Sequence, residues 1–171
     1  MYPLGVFTLA SNQASIEFTN IPQTYTHLQI RGIQRGATSG TGADSSLLTF
    51  NSDTANNYSA HRLQGDGASA SSDAFTTRGD VIISSLPRSG NTASSFNALI
   101  IDILDYKNTN KAKTVRVLSG ADLNGSGTMW LLSGRWGKTP LEAISSIKIS
   151  ASGTTAEFVA NSSFALYGIQ A

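Results

Sequence analysis

The 171-residue chain contains no cysteine. That removes thiolate nucleophiles, cysteine-ligated metals and disulfide frameworks together, and it leaves the redox compartment open. Charge is scarce and balanced: 12 Lys and Arg stand against 11 Asp and Glu, a formal +1, with 13% charged residues in all. A phosphate backbone would find no basic stripe to follow, so a nucleic-acid partner is not expected. Apolar runs are short. None reaches the roughly 18 residues a spanning helix needs, and the mildly apolar start MYPLGVFTLAS has no basic residue before it. We therefore read neither signal peptide nor anchor there, and expect no membrane partner. Tandem repeats, heptads and collagen-like triplets are also missing, which argues against a fibre shaft.

What is present is uncharged polarity and alternation. The chain carries 24 Ser, 17 Thr and 16 Gly, a surface that packs against neighbours at little desolvation cost. Its length suits one domain with a real core, which we place over residues 1–171. Period-two patterns recur: Ile16 and Phe18 flank Glu17, Leu28 and Ile30 flank Gln29, Val115 and Val117 flank Arg116, and Ile147 and Ile149 flank Lys148. Each predicts a strand with one wet face. Leu99 to Leu104 is apolar on nearly both faces, interrupted only by Asp102, and predicts a central strand covered on both sides. With Ser46–Phe50, Tyr58–Leu63, Val81–Ser84, Thr128–Trp136 and Phe164–Ile169, the count is about ten strands divided by Gly, Asn and Ser clusters. The predicted class is all-β, a two-sheet antiparallel β-sandwich. At most one short helical turn is allowed, after Pro140 (LEAISS). The segments 36–45 and 65–73 read as long polar surface loops, mobile unless a neighbour holds them. Residues 1–14 read as an extended docking arm, with Tyr2 to Leu9 its apolar part.

No arrangement of side chains predicts a reaction. His27 and His61 lie in predicted strands without a GxSxG elbow or comparable signature, and read as ordinary strand or interface residues. Asn51 to Asn57 (NSDTANN) has oxygen side chains at alternate positions but lacks the central Gly and distal Glu of a calcium loop, so a turn with Asx hydrogen bonds is the better reading. Asp102 and Asp105 are the nearest approach to a carboxylate pair, and the other acids are scattered. Arg78, Gly79 and Asp80 spell an integrin-ligand tripeptide, three residues that a turn explains equally well. We assign no catalytic residue, cofactor or metal. Candidate subunit or partner contacts are Tyr2, Leu4, Phe7, Trp130, Trp136 and Tyr167, where rigid rings and apolar side chains fill a core, anchor a contact or stack on sugar.

Four stretches, FTNIPQTYTHLQIRG, FNSDTANNYSAHRL, IDILDYKNTNKAKTV and FALYGI, cover much of the chain in order. Together they resemble a bacteriophage virion structural protein of the small jelly-roll type, found as capsid decoration (cement) proteins and as tail-fibre domains. The resemblance implies a jelly-roll-like sandwich, commonly a homotrimer, on the capsid exterior of a virion and in contact with the major capsid protein. Shielding of open sheet edges by symmetric copies agrees with an oligomer. The leading expectation is a decoration protein that stabilises the head by bridging capsomers. The alternative is a tail-fibre or adhesin domain that binds host cell-surface glycan through its polar loops and aromatics.

Overall fold

Alternation in the sequence becomes pleat in the structure. The computed structural model describes residues 1–153 and 156–170. Along Lys113–Asp122 and Gly127–Trp136 nearly every second side chain is buried and those between face outward, as a half-buried strand requires. Among the described residues there are twelve strands and no helix. They are β1 (Tyr2–Thr8), β2 (Ser15–Phe18), β3 (His27–Gln34), β4 (Ala43–Phe50), β5 (Tyr58–Gly65) and β6 (Ala70–Arg78), then β7 (Val81–Pro87), β8 (Asn97–Leu104), β9 (Lys113–Asp122), β10 (Gly127–Trp136), β11 (Ile147–Ala151) and β12 (Ser163–Ile169).

Two antiparallel sheets face each other. The larger runs β1-β12-β3-β8-β9-β10-β5-β6 and the smaller β2-β11-β4-β7. Counting the meander β8-β9-β10 as one position leaves the orders β2-β11-β4-β7 and β3-(β8–β10)-β5-β6, which is the interleaving of a jelly roll; β12 and β1 extend its wide sheet. The core lies between the inner faces, where Ile30, Ile101, Val117 and Leu132 of the wide sheet oppose Ile16, Leu48, Ile83 and Ile149 of the narrow one. At the β6 end of the wide sheet, the Arg62 guanidinium stacks 4.0 Å over Trp130 and 5.2 Å over Phe75 while Asp73 holds its charge at 2.6 Å. A charged group with a flat apolar face closes the layer there.

Two expectations are corrected, for residues 1–14 and 65–73, and two are made definite. The strands number twelve rather than about ten, and the two without a clear sequence pattern, β1 and β6, are the edges of the wide sheet. The docking arm of residues 1–14 is in fact strand β1, paired with β12 from Tyr2↔Gly168 to Thr8↔Ser163, followed by the buried Leu9. Segment 65–73 is mostly strand, because the Asp66 side chain accepts hydrogen bonds from the Ala68 and Ser69 amides and turns the chain into β6. The piece after Pro140, allowed at most one helical turn, makes none. Distant partners claim several of its backbone groups: Asn51 bonds Ala143 O and the Ser145 and Ser146 amides, and Tyr106 O accepts from Ile144 N, so the amides that would open an i to i−4 ladder are already used.

Candidate functional site

The two histidines lie four strands apart in the wide sheet, His27 on β3 and His61 on β5. His27 accepts a hydrogen bond at Nδ1 from the Asp105 amide at 3.0 Å. The hydrogen bond from Lys111 is the main reason the Asp105 carboxyl stays below the ordinary range, with a smaller contribution from His27. Asp102 accepts instead from Gln29 Nε2 at 2.7 Å, so it and Asp105 do not face each other across a groove. Arg78 and Asp80 pair with one another at 2.6 Å. A Cβ on Gly79 between them would stand 2.4 Å from Thr54 O, so close backbone approach accounts for that glycine.

The Asn51–Asn57 segment is the Asx turn read from the sequence, with Ala55 N donating to Asp53 Oδ1 at 3.0 Å. Asp53 Oδ2 accepts from Trp136 Nε1 at 2.7 Å and Asn57 Nδ2 at 2.9 Å. Burial pushes the Asp53 carboxyl up, but these hydrogen bonds and the Lys138 charge outweigh it and hold the group below its ordinary 3.8. Glu142 behaves alike: burial raises it, and bonds from Lys138 and Asn51 bring it below 4.5. A carboxyl with a depressed folded pKa contributes stability above its unfolded value, and that contribution drains as pH falls through the folded one. Melting temperature therefore falls below about pH 4, and Asp53→Asn, starting lower at neutral pH, shows a shallower acid limb. Parallel acid limbs for the two proteins would contradict the assignment.

The six contact candidates separate. Trp136 is 1% exposed and stacks on Tyr58 within the core. Trp130 is also buried, under Arg62. Neither reaches a surface, so both are removed from the contact set, because the inward face of β10 carries them into the sandwich. Leu4 and Phe7 are half-buried against the core, Phe7 lying edge-on to Phe18 at 5.0 Å. Tyr2 is exposed and tilted against Tyr25, and Tyr167 is half-buried on the outer face beside Gln29.

The candidate site is a surface the sequence reading did not single out, the outer face of the wide sheet. Direct cross-strand pairing places Ile100 of β8 beside Leu118 of β9, Leu118 beside Leu131 of β10, and Leu131 beside Leu63 of β5. These four aliphatic side chains are between 37% and 59% exposed and form one unbroken row across four strands. A polar row runs beside it, with Asp102, Arg116, Ser133 and His61 in register. On the other side Met129 stands exposed next to Gly120. Between the rows lies a shallow hollow of about 720 Å³ lined by His61, Leu63, Asp73, Arg116, Leu131 and Ser133.

Single exposed apolar residues are unremarkable, whereas a contiguous patch marks an interaction surface. The signal was present in the two-faced apolarity of β8. It predicts cover on both sides, and within one chain the Ile100 side is open. Among the described residues no group of three or more metal-ligating side chains occurs. Compared with known proteins, the chain matches no family model, no curated protein and no solved structure.

Proposed function

We propose that this chain is a non-catalytic assembly subunit, a phage capsid decoration protein that stabilises the head by bridging capsomers as a symmetric oligomer. The observation that carries the reading is the row Ile100, Leu118, Leu131, Leu63, an aliphatic face left open on an otherwise well-packed sandwich. A bridging protein needs at least two separate attachment surfaces. Besides this face, the free edge of β1 presents exposed Tyr2 and Val6 next to unpaired backbone groups, a form suited to strand addition by a shell protein. The jelly-roll strand order and the resemblance of the four sequence stretches support the same role. The glycan alternative draws less support, because Trp130 and Trp136 are inside and Tyr2 is the one strongly exposed aromatic among the described residues.

Counting copies by quantitative mass spectrometry of purified particles tests the proposal. A cement protein on a capsid lattice is present on the order of hundreds of chains per particle. Tens of copies would favour a fibre, and absence from particles would end the reading.

A further inference from the structure

We propose that the outer face of the wide sheet is covered by a second copy of this chain, packed face to face about a two-fold axis that runs along the strands between β9 and β10. This deepens the assembly reading by naming the partner and the geometry.

Size comes first. The strands β3, β8, β9, β10, β5 and β6 are neighbours in this order. At about 4.8 Å between strands and 3.4 Å per residue over about seven residues, their face measures roughly 700 Å². A stable pairwise interface buries about 800 Å² on each partner. The face is therefore close to one such patch, and stacked sheet faces lie about 10 Å apart with their strands within about 30° of each other.

Self-complementarity is the second argument. The proposed axis exchanges β9 with β10, β8 with β5 and β3 with β6, so each row of side chains meets itself in reverse order. In the apolar row Leu118 meets the partner's Leu131, and Ile100 meets the partner's Leu63. In the polar row Asp102 meets the partner's His61, and Arg116 meets the partner's Ser133. Among the described residues neither Arg116 nor His61 has an ion pair within its own chain, so both keep capacity for a partner. In the remaining row the bulky Met129 falls on the partner's Gly120, which has no side chain to clash. Aliphatic meets aliphatic, an acid meets an imidazole, and large meets small. An isologous contact has this property by definition. A three-fold ring, the order implied by the resemblance, joins two different patches and leaves the match unused.

The test uses the full purified chain. Sedimentation equilibrium at tens of micromolar is expected to give twice the 18.0 kDa chain mass. Leu118→Glu, on a half-exposed residue, is expected to keep the native circular-dichroism spectrum and weaken pairing by about 100-fold or more, since it buries an unpaired charge in the apolar row. A geometric check mixes two variants, Leu118→Glu and Leu131→Lys. Alone, each sets a charge against an aliphatic side chain of its own copy across the axis, whereas a mixed pair sets the new carboxylate of one chain against the new ammonium of the other and keeps leucine on leucine at the second contact. The mixture is expected to pair more tightly than either variant alone. A monomeric mass, a three-chain mass or no gain on mixing each overturns the pairing. Particle copy number judges the decoration role separately: a monomer found on particles sinks only the pairing, and a dimer missing from particles sinks only the role.

Discussion

Trp136→Ala lowers the free energy of unfolding by about 3–5 kcal/mol, the range for deleting a large buried aromatic. For a domain whose whole stability is about 5–15 kcal/mol, that is a large share. Trp136 sits at the centre of an aromatic cluster, 5.4 Å from the Phe50 ring and 6.2 Å from Tyr58, almost parallel to the latter. Its indole N–H also satisfies Asp53, which orders the turn between β4 and β5. Alanine leaves both a cavity and an acceptor without its donor, and the two costs fall on the same segment. Urea unfolding followed by circular dichroism measures the loss, with Trp130 fluorescence as a second probe. Trp136→Phe keeps much of the volume but not the donor, so its cost falls between wild type and alanine. A loss under about 1 kcal/mol for Trp136→Ala would contradict this account of the core.

Arg35→Ala is next, with an expected loss of about 3 kcal/mol or more from several charge-assisted hydrogen bonds removed together. Arg35 is 6% exposed. Among the described residues its guanidinium faces no carboxylate but donates to four main-chain oxygens of the β7–β8 loop: Thr92 and Ser95 from one nitrogen, at 2.6 and 2.9 Å, and Ser89 and Asn91 from the other, at 2.8 and 3.1 Å. That loop then zips to the β3–β4 loop through Ser89 N to Thr38 O and Gly90 N to Gly40 O, both 2.9 Å. The Thr92 hydroxyl ties it to Leu123 O. One side chain thus organises three connections, and its loss should also erase hydrogen-exchange protection at Ser89 and Gly90. Arg35→Lys should recover only part of the stability, because a compact ammonium has three donors and cannot span four carbonyls in a plane. Full recovery by lysine, or retained protection in the alanine variant, would show that the loop holds itself.

The strands legible in advance were those with one wet and one dry face. Ile16 and Phe18, Leu28 and Ile30, and Val115 and Val117 announce β2, β3 and β9 because burial selects every second residue. The two edge strands of the wide sheet did not announce themselves. Ala70–Arg78 reads ASSDAFTTR, and it is held mainly by backbone bonds to β5 and by Phe75 under Arg62, which a pattern of apolar residues does not register. Tyr2–Thr8 reads as an arm for the same reason, since its place is set by backbone pairing with β12. The polar segment 36–45 carries no pattern that shows what holds it, and the β7–β8 loop, itself organised by Arg35, holds it through contacts about fifty residues away in sequence.

The site divides in the same way. Two-faced apolarity in Leu99–Leu104 signalled that β8 needs cover on both sides. Which aliphatic residues share an open row depends on register, and register is a property of pairing between strands. The roles of Trp130 and Trp136 turned on parity along β10, where a shift of one residue would have brought both outside.

The amino-acid sequence by itself determined the all-β class and the positions of the inward-facing strands, because period-two burial is a local property of a strand. Tertiary structure alone decided the two sheet orders, the burial of both tryptophans and the alignment of Ile100, Leu118, Leu131 and Leu63 into one face. Those depend on which strands lie side by side, and neighbours across a sheet are chosen by the packing of the whole chain.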